Sequence, residues 1–363
     1  MRNFIVLLLL PAVFYSCQFS SKEKKQESCM IKLNDTKQTV LTHEDVMEIK
    51  EWVALDSQDD AILGDISRIE AINGKYYLLD KVIQKCVLVF DEQGKFLRKI
   101  GKVGQGPGEY AQIVDFTVHK NTVTILSPQS TIYQYDLQGT FLQSKQISQS
   151  LLWNIAACND KYLLSSAHRT YTEGENAFLL YAFDEAWNLK GKWLQVLPKQ
   201  MPTLPLISAT MQSARGKLFY CDVFTNAVYQ FDSKNNKVST AYALSFLAPV
   251  PQHVYADVMS FMQRQREYDF LHEAVINEKY ALFCHAHQGD YNLAVADSEG
   301  NLLKNGRFQG RFPKTFHGQG EELVSTVSAN EYLTYWKEQP IVQCKDSIAE
   351  EDNFLLLKWT VKQ

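Results

Sequence analysis

Cys284-His285-Ala286-His287 brings two imidazoles into one short run. In a β-strand, residues two apart face the same way. His285 and His287 could therefore hold a divalent metal if a third ligand approached; otherwise they are two half-exposed histidines on a sheet. A second candidate is Gly101-Lys102-Val103-Gly104-Gln105-Gly106-Pro107-Gly108-Glu109-Tyr110. Its glycines invite a phosphate cradle, but it lacks the Gly-Lys-Ser/Thr ending of a P-loop. No helix follows it whose N-terminus would hold the phosphate. It reads instead as a constrained connector, with glycines supplying positive φ and Pro107 fixing the path. No HExxH, EF-hand loop or GxSxG occurs, and Ser, His and Asp show no spacing that builds a triad.

Whatever chemistry exists must be positioned by a repeating frame. An aromatic or small residue, then Asp, then a turn ending in Gly or Asn recurs along the chain. It reads Phe90-Asp91 with Gly94, Tyr135-Asp136 with Gly139, Phe183-Asp184 with Asn188, Phe231-Asp232 with Asn235-Asn236, and Ala296-Asp297 with Gly300. A second phrase keeps the same period: Asn73-Gly74-Lys75-Tyr76, Asn159-Asp160-Lys161-Tyr162 and Asn277-Glu278-Lys279-Tyr280, with looser copies at Ala214 to Lys217 and Asn330 to Tyr332. Asn-Gly and Asn-Asp pairs between β-rich runs mark tight hairpins. Each unit is then four antiparallel strands, and a repeat of this period makes a propeller.

The expected fold is all-β: a six-bladed β-propeller with four-stranded antiparallel blades. The sixth unit has its first turn at Asn330 and ends in the run Phe354 to Val361, one strand short. Val46 to Leu55 is the spare strand, and pairing it with the last blade closes the ring and removes its open edges. One amphipathic helix is expected within Pro251 to Leu271, where Val254, Val258, Phe261 and Met262 recur at helical spacing. It serves either as packing or as a lid.

Aligning the units on their first turns gives a ring of positions. Eight residues before the aromatic or apolar residue of each turn stand Arg68, Asp115, Asn154, Thr210, His272 and Val324. Five of the six are polar, and they fall at the starts of the innermost strands. Arg68, Asp115, Asn154, Thr210 and His272, with Glu109 of the connector, are the candidate ligand-binding residues of a central funnel. Arg68 suits an anionic group, unless Asp115 pairs with it and leaves a neutral site. Substituting Arg68 or Asp115 is expected to change binding at little cost in stability. The alternative is that polar residues simply precede strands.

The chain has 363 residues, 21% of them charged and 12% aromatic, with a net charge of -4. Nothing in that balance favours nucleic acid as a partner. Residues 1–16 read as a signal peptide: Arg2, then an apolar run from Phe4 to Phe14, too short to span a membrane. Ser16-Cys17 is similar to a bacterial lipobox, in which Cys17 is lipidated and becomes the mature N-terminus; the alternative is ordinary cleavage. Residues 17–45 then form a lipidated, flexible tether, polar from Gln18 to Ser28, and residues 46–363 the propeller. Of the seven cysteines, Cys86, Cys158, Cys221, Cys284 and Cys344 are scattered at about one per blade without metal spacing. They read as buried, small apolar residues.

Tyr76-Tyr77-Leu78-Leu79-Asp80, Val89-Phe90-Asp91 with Gly94, and above all Ile100-Gly101 through Gly106-Pro107-Gly108-Glu109-Tyr110 carry a resemblance over almost all of the mature chain. The chain resembles the six-bladed β-propeller lipoproteins of Gram-negative gut anaerobes, related in shape to NHL and TolB-like propellers. The resemblance implies the fold and an address in the cell envelope, and it transfers no catalytic residue. The leading expectation is an outer-membrane-anchored module that binds a small molecule or a protein and needs no cofactor. A propeller-type hydrolase or lyase is the rival, with a funnel metal held first by Asp115, Asn154 and His272. A third reading is an accessory component of glycan or peptide uptake.

Overall fold

The computed structural model describes residues 29–33, 39–147, 151–167, 177–196, 210–255, 258–339 and 341–363. Three strands precede the repeat: β1 (Cys29–Lys32), β2 (Thr39–Leu41) and, after the one-turn helix α1 (His43–Val46), β3 (Met47–Ala54). Blade one is β4 (Arg68–Ile72), β5 (Lys75–Asp80), β6 (Cys86–Asp91) and β7 (Phe96–Ile100). Blade two is β8 (Asp115–His119), β9 (Thr122–Leu126), β10 (Thr131–Asp136) and β11 (Phe141–Gln146). Blade three is β12 (Asn154–Cys158), β13 (Lys161–Ser165), β14 (Ala177–Asp184) and β15 (Leu189–Val196). Blade four is β16 (Thr210–Ala214), β17 (Lys217–Asp222), β18 (Ala227–Asp232) and β19 (Lys237–Ser245). Blade five is β20 (Phe270–Ile276), β21 (Tyr280–His287), β22 (Asp290–Asp297) and β23 (Leu302–Phe308). Blade six is β24 (Lys314–His317), β25 (Leu323–Ser328) and β26 (Phe354–Val361), completed by β3.

The ring is a six-bladed propeller closed by an N-terminal strand. β3 pairs antiparallel with β26 from Leu355 opposite Ala54 to Val361 opposite Met47. Trp52 and Trp359 are buried at this seam, and the Trp52 indole donates to the Val342 carbonyl at 2.7 Å. The core lies between blades. Six apolar layers each join two neighbouring sheets: Leu78 and Phe90 meet Val324 and Leu356, for example, and Tyr77 and Val89 meet Phe116 and Ile125.

The recurring Asp is a turn-closing device. Asp91 Oδ1 accepts from the amides of Gln93 and Lys95, and Asp136, Asp184, Asp232 and Asp297 repeat the arrangement in their own turns. At Gly94, φ is 85°, and a Cβ would collide with the Ala54 carbonyl of the closing strand. Each blade also has a bulge in its outermost antiparallel strand, where one residue is left out of the pairing: Leu97 of β7 in blade one and Lys50 of β3 in blade six. Such bulges bend the strand that carries them and add local twist.

Four expectations are corrected. Two blades have five strands, not four, because β1 pairs parallel with β19 and β2 parallel with β23. Residues 29–32 and 39–41, assigned from sequence to the flexible tether, therefore lie along the outer edges of blades four and five. Ile31 and Leu41 supply the reason, since both are buried against those edges. The first turn of blade six is at residues 318–322, not at Asn330. Val324 consequently lies in the second strand, and Asn330 in the helical turn α4 (Ala329–Glu331), which a π-turn (Tyr332–Trp336) extends. The expected single helix is instead α2 (Gln252–Tyr255), α3 (Val258–Arg264) and a 3-10 turn (Gln265–Glu267). Val254 and Phe261 pack there on Tyr268, Phe270 and Ala286.

The inner strands β4, β8, β12, β16, β20 and β24 all run the same way. The connector 101–114 and the insertions 252–268 and 329–353 lie on the face where those strands begin. On the other face the described connections are tight turns. Among the described residues no helix is long and apolar enough to cross a membrane.

Candidate functional site

Six inner strands wall one central cavity of about 600 Å³, within the range of small-molecule sites. Arg68, Asp115, Asn154 and Thr210 all line it, each at the start of its strand. The ring alignment therefore brings four of its six residues together. Val324 is excluded by the misplaced turn of blade six, and Lys314 and Thr315 line the wall from that blade. His272 is excluded by a bulge: the β20–β21 ladder slips between Leu271 and Glu273, leaving His272 outside the pairing. Its exposed ring lies beside Phe270, centroids 4.6 Å apart, and Glu273 takes the place on the wall.

Glu109 does not reach the cavity either. Its carboxylate closes the Gly-rich connector on itself, accepting from the Gly106 amide at 2.9 Å and pairing with Lys102 at 3.1 Å. The connector is held by Tyr110, whose hydroxyl donates to the Lys85 carbonyl.

Besides Lys81 and His119, the charged groups of the wall form two sets. Arg68 donates to Asp115 at 2.9 Å, to Glu70 at 2.7 Å and to the Ile155 carbonyl at 2.9 Å. Asp115 also accepts from the Ile155 amide, and Glu70 from the Val118 amide. The three side chains are only 13%, 4% and 15% exposed. They tie the inner strands of blades one, two and three, and one cation between two carboxylates leaves the cluster acidic. Gln212 ties blade four to blade five in the same way, donating to the Ala274 carbonyl and accepting from the Ile276 amide.

The second set is Glu273 and Lys314, across the axis. Lys314 Nζ donates to the Ile66 carbonyl at 2.7 Å. Glu273 has no hydrogen-bond donor among the described residues, and burial pushes its carboxyl up to about 7, against the pull of Lys314. Glu273, Val275, Lys314 and Thr315 also wall a side chamber of about 420 Å³ between blades five and six.

The expected metal ligands do not converge. Asp115 is engaged with Arg68 and Ile155, Asn154 Oδ1 accepts from the Ser165 hydroxyl, and His272 lies elsewhere. His285 is buried beside Phe246, where burial lowers its basicity to about 4. His287 Nδ1 lies 2.8 Å from Asp269 Oδ1, which joins blade five to the helical insertion. Among the described residues no group of three His, Cys, Asp or Glu is placed to hold a metal ion. The described cysteines are free thiols, and Cys17 lies outside the described residues.

Glu70, Gln212, Glu273 and Lys314 are among the cavity residues not singled out from sequence. Glu70 and Gln212 stand two positions after Arg68 and Thr210 on the same strand face, so the period of two could have found them. Glu273 depends on a bulge and Lys314 on the true turn of blade six, and neither has a local signal.

The model of the Domain of unknown function (DUF4934) family matches residues 29–359. The chain belongs to this family. Among solved structures it is similar to a Bacteroides fragilis protein described as exported, with TM-score 0.74 and 16% identity over 93% of this chain and 100% of that one. At that identity the likeness shows the fold. A computationally designed protein, Ika8, gives TM-score 0.42 at 12% identity, covering 85% of this chain and 73% of the design. The WD40 repeats of RRP9 give 0.46 at 9% identity, covering 87% and 100%. Neither of these two bears on function. The comparison with curated proteins gives no match.

Proposed function

We propose that this propeller is a cell-envelope binding module whose central cavity takes a small polar ligand. The observation that carries the reading is the cavity itself: six inner strands converge on about 600 Å³ of space walled by Arg68, Asp115, Asn154, Thr210, Glu273 and Lys314. Converging polar groups in a concave site are the usual form of a ligand site. Binding is favoured over hydrolysis or lysis because Arg68, Glu70, Asp115 and Gln212 are committed to holding blades together. Among the described residues the wall has one Phe, Tyr or Trp, Phe316, beside the His119 imidazole, which gives a stacking platform for a glycan little support.

The module is exported and tethered through a lipidated Cys17 to the outer membrane. The leader, the Ser16-Cys17 pair and the likeness to a protein described as exported support this reading. From Cys17 the chain reaches Cys29 at the rim of blade four through residues 18–28, a span of at most about 40 Å.

The test is native mass spectrometry of the full-length protein from its own envelope, beside an Asn154→Trp variant that fills the cavity. A small molecule carried by the natural protein and absent from the variant supports the reading. Identical spectra of two folded proteins, with nothing bound to either, overturn it.

A further inference from the structure

We propose that Glu273 and Lys314 form a recognition corner for a small zwitterion of the amino-acid type: its ammonium meets Glu273, its carboxylate meets Lys314, and its side chain enters the side chamber. This rests on the cavity being a ligand site.

Three observations lead there. First, the opposite side of the cavity is already satisfied. Arg68, Glu70 and Asp115 pair with one another, and the Val118 and Ile155 backbones complete them.

Second, the Glu273 carboxyl and the Lys314 ammonium are held apart. Lys314 acts on Glu273 electrostatically, yet the two do not close to within the 4.0 Å of an ion pair. Lys314 is turned aside by the Ile66 carbonyl at 2.7 Å and lies 5.5 Å from the Phe316 ring centroid. The Leu271/Glu273 bulge sets the position of the other partner. The remaining charges around the side chamber do not compete for either. Arg311 pairs with Glu331 at 3.3 Å, and Asp65 accepts from the Ser67 hydroxyl.

Third, the corner is a junction. Both residues wall the central cavity and the side chamber, and the chamber continues over Val275, Leu282, Phe312 and Phe354. An apolar side chain fits that part of the lining; Tyr291, Thr326 and Ser328 are among the polar residues of the rest.

The charge pattern selects among ligands. A simple cation would gain Glu273 and face Lys314, and a simple anion would gain Lys314 and face Glu273. A neutral polyol would give neither Glu273, the more buried of the two, nor Lys314 a counter-charge. A zwitterion pairs both, through charge-assisted hydrogen bonds, the stronger kind. The raised carboxyl of Glu273 agrees, since an ammonium would restore the ionised form that burial disfavours.

The experiment is calorimetric titration of the full-length protein at pH 7 with four probes: L-leucine, isoamylamine (leucine without its carboxylate), 4-methylpentanoate (leucine without its ammonium) and glucose. Leucine is expected to bind about tenfold to a hundredfold more tightly than either half-charged analogue, the range of one lost charged hydrogen bond. Glu273→Gln is close in shape and should bring leucine down to the level of 4-methylpentanoate. Lys314→Met should bring it down to the level of isoamylamine. Because Lys314 also holds Ile66, the Glu273→Gln result decides if Lys314→Met fails to fold. Glucose as the best probe, or equal affinities for leucine and its two analogues, with binding that Asn154→Trp abolishes, overturns the zwitterion corner and leaves the cavity as a site. No binding by any probe, together with no co-purified molecule, overturns both.

Discussion

Arg68 reaches to the neighbouring blade's Asp115 at 2.9 Å, and Asp115 in turn takes the Ile155 amide at 2.9 Å. One guanidinium thus fixes the spacing of three blades. The side chains that looked free to serve a ligand are structural members of the wall, which corrects the expectation that they can be replaced at little cost.

Arg68→Ala should therefore destabilise the protein strongly. It leaves Glu70 and Asp115 buried without their counter-charge, and breaking such a group costs about 3–5 kcal/mol. The triple change Arg68→Met, Glu70→Gln, Asp115→Asn should cost less than Arg68→Ala alone, since no charge is then stranded. Urea unfolding of both variants checks this. Equal midpoints for the natural protein and Arg68→Ala would show that the cluster carries no stability.

Closure makes a second prediction. Deleting residues 40–56 removes β3 and exposes the whole edge of β26, with Trp359 and Leu357 beneath it. Open edges pair with other chains, so the deletion should aggregate or lose cooperative unfolding. Size-exclusion chromatography and a thermal melt decide it; a monomer with the natural melting temperature would show that closure is dispensable.

The ring was legible because its period is written in backbone chemistry. An Asp that accepts two turn amides, as Asp91 and Asp136 do, has to recur wherever the turn recurs. The closing strand was legible for a related reason: β26 left a blade one strand short. The site was only half legible. Arg68, Asp115, Asn154 and Thr210 follow from counting back along regular strands. His272 failed where one residue of bulge shifted the count, and Val324 failed because the Asn330 to Tyr332 phrase, a look-alike of the hairpin, sits in a helical turn. The edge strands β1 and β2 were missed because parallel pairing to a rim needs only a few apolar residues, here Ile31 and Leu41, inside an otherwise polar stretch.

Attachment is tested at Cys17. Cys17→Ala should move the protein from the membrane fraction to soluble or unprocessed forms, because its acyl chains would be the anchor. Each buried methylene adds about 0.8 kcal/mol, far more in sum than a chain of net charge -4 gains at a surface. Immunoblots of fractionated envelopes read the outcome, and a correctly cleaved Cys17→Ala protein still in the membrane would count against lipidation.

Glu273 gives the pH dependence. Its carboxyl lies at about 7 in the folded chain against an ordinary 4.5, raised by burial. A raised carboxyl binds its proton more tightly when folded. Its contribution is therefore fully present below about pH 4.5 and is lost as pH rises through about 7. Glu273→Gln never ionises and escapes that loss. The variant's stability advantage over the natural protein should start small at pH 4.5, grow through pH 5 to 7, and level off near pH 8 at no more than about 3 kcal/mol. Solvent entering the cavity reduces that ceiling. Taking the difference between two proteins cancels every other titrating group. Paired urea titrations at pH 4.5, 6, 7 and 8 measure it; an advantage that stays flat or shrinks as pH rises would mean that Glu273 is solvated like a surface carboxylate.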